Sequence, residues 1–142
     1  MATGWEPDNV GENEISDGEA YHRALYIDGD IERPAKWHRD SAKRLVQLAI
    51  PQIKNGSLVV DYGSGTGGSA IELLKEVENR GIEIDLVLID PLVSWFSKAR
   101  DLLNSRPNVH FELSTEEDDS GKSSFRRLDS ILGGRKADII IS

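Results

Sequence analysis

Residues 58–74, LVVDYGSGTGGSAIELL, decide the fold of this chain. The run Leu58-Val59-Val60 is wholly apolar, as expected of a strand that is buried on both faces. A turn with four glycines follows, Gly63, Gly65, Gly67 and Gly68. Apolar side chains then recur at helical spacing, at Ala70, Leu73, Leu74 and Val77. A strand, a glycine turn and a helix in this order open a nucleotide-binding βαβ unit.

The downstream sequence keeps alternating between strand and helix. Residues 84–89 (IDLVLI) predict a second buried strand, residues 109–113 (VHFEL) a third and residues 137–142 (ADIIIS) a fourth. This order predicts an α/β fold, a Rossmann-like three-layer αβα arrangement on a mainly parallel sheet of four strands. Right-handed crossovers then put a ligand at the carboxyl ends of the strands.

Helices are expected between these strands. Pro91 begins one whose apolar stripe runs from Leu92 to Leu103. A shorter helix is expected around Phe125, Leu128 and Leu132, and the acidic run TEEDDSG at 115–121 predicts a loop. Upstream, Pro34 opens a helix whose apolar positions are Trp37, Leu45, Leu48 and Ala49.

The chain has 142 residues and a net charge of -8, which suits one domain with one core. Residues 1–19 hold six acidic residues and no Lys or Arg, so this tail is expected to be disordered. We expect residues 20–56 to form an N-terminal helical or lid segment. We expect residues 57–142 to form the Rossmann-like domain, and a sheet of only four strands suggests that this domain is incomplete.

Composition also narrows the class of protein. No apolar run reaches the roughly 18–20 residues that cross a bilayer, and no leader peptide is recognisable, so we expect a cytoplasmic protein without a membrane partner. The absence of cysteine excludes disulfides and thiolate metal sites. The three histidines show no metal-ligand spacing, and we predict no metal site.

The glycine turn fits two different patterns. Residues 63–68 match G-x-G-x-x-G, the dinucleotide fingerprint, whereas residues 61–67 match D-x-G-x-G-x-G. A dinucleotide places its anionic pyrophosphate on such a loop. The Asp61 carboxylate would oppose that anion and would favour a cationic or zwitterionic ligand.

Residues 59–67 (VVDYGSGTG), with Asp90 closing the next strand, resemble the class I, Rossmann-like methyltransferases that use S-adenosylmethionine (SAM). The resemblance spans about residues 37–142 and makes residues 57–142 the SAM-binding domain. It implies that the methionine part of SAM lies along Asp61, Gly63, Ser64, Gly65, Thr66 and Gly67.

The resemblance also implies positions for the rest of SAM. Asp90 would hold the ribose hydroxyls, and Pro91 and Leu92 would lie near the adenine. The family often has an acidic residue after the third strand, facing the adenine amino group. In this sequence that position falls near Thr115, with Glu116 next, and Ser114 is a further candidate one residue earlier.

The resemblance implies a methyltransferase, or its SAM-binding half, acting on an unknown acceptor, with a small molecule favoured. The family's sheet continues beyond the fourth strand, and its acceptor-binding and catalytic residues commonly follow that strand, so the catalytic residues stay unknown. We favour a fragment of a longer enzyme. The alternatives are self-association or a second subunit at the fourth-strand edge, a SAM-binding module without catalysis, and an NAD(P)-binding oxidoreductase domain.

Overall fold

A computed structural model describes residues 33–65, 67–91 and 105–142, together with Leu25, Ile27 and Leu103. Its helices are α1 (Lys36–Ala49), α2 (Gly68–Asn79) and α3 (Leu128–Ile131), and a 3₁₀ turn at Ile50–Gln52 follows α1. Its strands are β1 (Ser57–Tyr62), β2 (Ile84–Asp90), β3 (Val109–Leu113), β4 (Thr115–Glu117), β5 (Ser123–Phe125) and β6 (Ile139–Ile141).

Four strands form one parallel sheet in the order β3-β2-β1-β6. The chain runs outward from β1 through β2 to β3, and it then returns to place β6 on the other side of β1. The predicted α/β architecture with a four-stranded parallel sheet is therefore confirmed. The reversal of strand order lies between β1 and β6, and in open α/β sheets the ligand crevice forms at such a point.

The two faces of the sheet bury separate apolar clusters. On the first face, α1 and α2 pack over Val59, Leu86, Leu88 and Ile141. On the second face, Leu58, Val60, Val87 and Ile89 meet α3 and the residue after it, Ile131 and Leu132. The apolar runs of β1 and β2 follow from this arrangement, because alternate side chains of a central strand enter opposite cores.

Helix α2 begins and ends at glycines with a left-handed backbone. Gly67 precedes it with a φ of 86°, and Gly81 follows it with a φ of 68°. At the end of α2, the N–H of Gly81 bonds Glu78 O and the N–H of Ile82 bonds Val77 O, the two bonds of a Schellman motif. The predicted apolar stripe of α2 is buried in full: Ala70, Leu73, Leu74 and Val77.

Three sequence-based interpretations were wrong. Helix α1 buries Ala42, Val46 and Ala49, whereas Trp37 and Leu48 are 55% and 69% exposed. The acidic stretch predicted as a loop holds strand β4, which pairs antiparallel with β5. Phe125, expected in a helix, is the last residue of β5, and α3 begins only at Leu128.

Several expectations fall on residues outside the described ranges. These are the acidic tail at 1–19, most of the lid segment before residue 33, and the helix that Pro91 was predicted to begin. The described part of the N-terminal segment, helix α1, packs into the same core as α2. In the part of the chain that the structure describes, no helix is both long enough and apolar enough to cross a membrane.

Candidate functional site

The candidate site lies where β1, β2 and β3 end at their carboxyl edge. The parallel register brings the last residues of β1 beside the last residues of β2, with Tyr62 opposite Ile89. The next residue of β2 is Asp90, which pairs with Leu113 of β3. The glycine loop leaves β1 at this edge and runs into the N-terminus of α2, so loop, helix and three strand ends meet in one place.

Backbone hydrogen bonds fold the glycine loop back over the end of β2. The N–H groups of Gly63 and Ser64 both donate to the carbonyl of Ile89, at 2.8 and 3.0 Å. The loop glycines Gly63, Gly65 and Gly67 have φ values of 75°, 54° and 86°. Left-handed backbone of this kind is costly for a residue with a Cβ, which explains the glycine spacing in the sequence.

Asp61 is a buried carboxyl group for which the described residues supply no neutralising partner. Its side chain is on the same face of the sheet as Leu88 and Ile141, its neighbours in register on β2 and β6. The residue is 3% exposed, and its Oδ2 has no hydrogen-bond partner. Burial, and then the negative charge of Asp90, raise the pKa of Asp61 to about 7.

Asp90 differs from Asp61 because the glycine loop provides it with a donor. The N–H of Gly65 donates to Asp90 Oδ2 at 2.9 Å, and Asp90 is 4% exposed. A backbone N–H stabilises the ionised carboxylate. Asp61 and Asp90 are diagonal neighbours on one face of the sheet, so two buried carboxyl groups lie in contrasting environments beside the loop.

Two serine hydroxyls at the same edge are also buried without a partner. Ser64 is 8% exposed and Ser114 is 2% exposed, and neither Oγ atom makes a hydrogen bond. Ser114 directly follows β3, and its N–H donates to the carbonyl of Asp90. Asp61, Ser64 and Ser114 hold all the buried side-chain polar atoms found without partners in the described residues. Because buried polar groups are normally paired, this concentration indicates a site for a polar ligand.

The structure brings some of the predicted site residues together and moves others away. Pro91 is half-buried directly after Asp90, whereas Thr66 and Leu92 lie outside the described residues. Thr115 and Glu116 belong to β4 and pair with Phe125 and Ser124 of the hairpin. Glu116 is exposed. Ser114 directly precedes these two residues, and it is the one that lies at the carboxyl end of β3 beside Asp90.

Arg126 anchors the β4–β5 hairpin beside the site. Its backbone N–H donates to the carbonyl of Ser114 at 2.8 Å. Its guanidinium donates to Glu112 Oε2 and to the carbonyl of Leu113, at 3.1 and 3.0 Å. These hydrogen bonds fix the end of the β4–β5 hairpin directly after the buried Ser114.

A cleft of about 190 Å³ lies on the other face of the sheet. Val87, Ile131 and Leu132 form its apolar part. The charged residues that line it are already paired, Glu112 with Arg126 and Arg135 with Asp85. We therefore assign the site to the glycine-loop edge. No group of three or more His, Asp or Glu residues that could hold a metal ion occurs in the described ranges.

Comparisons with known proteins give structural neighbours only. No family model matches the sequence, and no curated protein matches it. Among solved structures, the chain is similar to the CMeT domain of the citrinin polyketide synthase, at 19% identity and a TM-score of 0.48. That match covers 72% of this chain and 27% of the other.

Two further neighbours are N-methyltransferases. Haemonchus contortus phosphoethanolamine N-methyltransferase 1, in complex with phosphoethanolamine and S-adenosylhomocysteine, is 14% identical with a TM-score of 0.47, over 71% of this chain and 20% of its own. Coclaurine N-methyltransferase, bound to N-methylheliamine and SAH, is 21% identical with a TM-score of 0.42, over 51% and 22%. The chain thus spans about a quarter of these neighbours, and similarity at this level carries no argument about its activity.

Proposed function

We propose that this chain binds S-adenosylmethionine at the glycine-loop edge and is the SAM-binding part of a methyltransferase. The observation that carries the proposal is Asp61, a buried carboxyl group beside the glycine loop whose Oδ2 receives no hydrogen bond from the residues that the structure describes. Burial of a carboxylate without a partner is costly, so the site favours a ligand that brings the missing positive charge or donor. SAM carries an ammonium and a sulfonium and has no phosphate.

The remaining groups of the site fit the other parts of the same ligand. A carboxylate such as Asp90 accepts hydrogen bonds from the hydroxyls of a ribose. The unpaired Ser114 hydroxyl, beside Asp90 at the end of β3, has the hydrogen-bonding capacity for a heterocyclic base. Pro91 supplies an apolar surface next to both. The loop glycines have no Cβ atoms, so a ligand can approach the backbone closely.

When bound, SAM supplies a methyl group on a sulfonium whose thioether leaving group is neutral, so the protein mainly has to hold and orient it. The chain's own contribution under this proposal is binding. The loop orients the ligand, the carboxyl pair balances its charge, and the buried strand ends exclude water. The acceptor and the residues that contact it are not part of the proposal.

Asp61, rather than Asp90, argues against a dinucleotide. NAD(P) would bring its pyrophosphate to the N-terminus of α2, where an ionised Asp61 repels it, whereas Asp90 suits the ribose of either ligand. The alternative of a SAM-binding module without catalysis makes the same binding prediction. It differs only in that no acceptor would be methylated by the full-length protein.

Isothermal titration of the 142-residue chain with SAM, S-adenosylhomocysteine and NAD tests this proposal. We expect saturable binding of SAM and S-adenosylhomocysteine and no binding of NAD. The Asp61→Ala variant should lose SAM affinity, whereas Asp85→Ala, on the opposite face of the sheet, should keep it. Tight NAD binding without SAM binding would overturn the proposal.

A further inference from the structure

We propose that Asp61 is protonated in the empty site near neutral pH and releases its proton to solvent when a cationic ligand binds. Loading of the site is then coupled to pH. This inference rests on the proposed function, because it takes SAM as the cation. It adds a regulatory property of the site, proton exchange at a named carboxyl group.

The geometry identifies Asp61, rather than Asp90, as the group that carries the proton. Asp90 Oδ2 accepts the 2.9 Å hydrogen bond from Gly65, which requires a lone pair and favours the ionised form. Asp61 Oδ2 has no donor and is enclosed between the neighbours in register Leu88 and Ile141. Two carboxyl groups this close do not both ionise easily, so the proton stays on the one without a donor.

No cation among the described residues neutralises the Asp61 carboxylate in place of that proton. On β2, the only other titratable side chain is Asp85, which faces the opposite side of the sheet and pairs with Arg135. Strand β6 contributes Ile139, Ile140 and Ile141 and no charge.

The helices on this face add no cation either. The first turn of α2 is uncharged, and Glu72 beyond it pairs with Lys75 at 3.6 Å. On α1, Lys36 pairs with Asp40. The other charged side chains of α1, Arg39, Lys43 and Arg44, are exposed, and His38 is half-buried beside Trp37. Burial alone lowers the pKa of His38, and no described cation acts on the pKa of Asp61.

A cationic ligand supplies what the empty site lacks. An ammonium or sulfonium near Asp61 stabilises the carboxylate, and the carboxylic acid then loses its proton to solvent. At most one proton leaves for each SAM that binds, the proton of Asp61, and at pH values where Asp61 is already partly ionised the average number is smaller. Affinity must therefore rise with pH until Asp61 is ionised in the empty site as well.

Calorimetry of the wild-type chain with SAM measures this exchange directly. Titrations at pH 7 in phosphate and in Tris, buffers with different ionisation enthalpies, give the number of protons released. We expect about half a proton per SAM at pH 7, and roughly tenfold tighter binding at pH 8 than at pH 6. Titration of the SAM ammonium itself would give the opposite sign. An anionic site favours the protonated amine, so that group would take up protons on binding rather than release them.

The Asp61→Asn variant removes the titrating group with little change in shape, and Asp85→Asn is the matched control on β2. We expect Asp61→Asn to lose the proton release and the tenfold pH effect, and Asp85→Asn to keep both. SAM binding by the wild type without proton exchange overturns this inference and leaves the proposed function intact. Proton release that persists in Asp61→Asn overturns it too. Absence of SAM binding from pH 6 to pH 8 overturns both.

Discussion

The carboxylate of Asp90, at the end of β2, accepts a hydrogen bond of 2.9 Å from the backbone N–H of Gly65 in the glycine loop. Both groups are buried, so this bond ties the loop to the neighbouring strand rather than to solvent. Asp90 therefore has a structural task in the ligand-free protein, beside the ligand contact that the proposed function gives it.

Removal of that acceptor should loosen the loop locally. In Asp90→Ala the Gly65 amide loses a charged acceptor worth about 1.5–3 kcal/mol, so its hydrogen exchange should become at least roughly tenfold faster. Asp90→Asn keeps an oxygen acceptor and should retain most of the protection. Exchange measured by NMR at Gly65, with the Ile89-bonded amide of Gly63 as a reference, checks the prediction. Unchanged Gly65 protection in Asp90→Ala would contradict it.

The raised pKa of Asp61 makes the stability of the empty protein depend on pH in a defined direction. Folding raises this pKa from 3.8 to about 7, so the folded chain binds more protons than the unfolded chain between these values. The contribution of Asp61 to stability is therefore lost as the pH rises through that window.

The Asp61→Asn variant should therefore match the wild type near pH 4 and exceed its stability by about 2–4 kcal/mol at pH 8. Urea denaturation across this range measures the difference between the two proteins, in which the contributions of the other carboxyl groups cancel. A constant difference at all pH values would show that Asp61 does not titrate near neutrality.

Asp138 has a structural role at the opposite edge of the sheet. Its Oδ2 accepts the N–H of Leu58 at 2.7 Å, and its own N–H donates to the carbonyl of Leu58 at 2.8 Å. Asp138→Ala should cost about 1–3 kcal/mol, because the Leu58 N–H is left without an acceptor. Asp138→Asn should recover part of that loss. Asp138 precedes β6 and lies at the opposite end of that strand from Ile141, the neighbour of Asp61. SAM affinity of the fully folded variant should therefore not change, and a weakened affinity would refute this assignment.

Two leucine truncations test the packing of the first face. Leu73 of α2 is fully buried, so Leu73→Ala should cost about 2–5 kcal/mol. Leu48 of α1 is 69% exposed, and Leu48→Ala should change stability by less than about 0.5 kcal/mol. Thermal or urea unfolding of both variants provides the comparison. Equal losses would restore the sequence-based view that Leu48 faces the core.

The sequence predicts the central elements well because their signals are local. The apolar runs at the centres of β1 and β2 predict burial from the local sequence alone, and so does the apolar stripe of α2. The bounds of β3, Val109–Leu113, agree with the prediction. Gly81 directly follows the helical segment in the sequence, and it ends α2 in a left-handed conformation that glycine tolerates best.

The errors arise where a pairing or packing partner, rather than the segment's own residue pattern, decides the structure. Strand β4 is acidic and has low strand propensity, and it forms through backbone pairing with β5 across a turn. In that turn, Asp118 Oδ1 accepts the N–H groups of Ser120 and Lys122. Trp37 and Leu48 have helical spacing, but the face that α1 buries is set by its contact with α2.

The site was only partly visible in the sequence. Asp61, Asp90 and the glycines could be named from their order in the chain, and their assignment to SAM remains a prediction. The bond from Gly65 to Asp90 could not be foreseen, because it joins residues 25 positions apart. The unpaired hydroxyl of Ser114 had one sequence signal, its position directly after the third strand.

The most direct test of the central claim is an NMR titration of the ¹⁵N-labelled 142-residue chain with SAM, and separately with NAD. We expect saturable chemical-shift changes with SAM at the amides of Gly63, Gly65, Asp90 and Ser114. The amide of Arg135, in the cleft on the other face of the sheet, should stay unchanged, and NAD should produce no shifts. Shifts at the glycine loop with NAD alone, or no shifts with SAM at saturating concentration, would contradict the account.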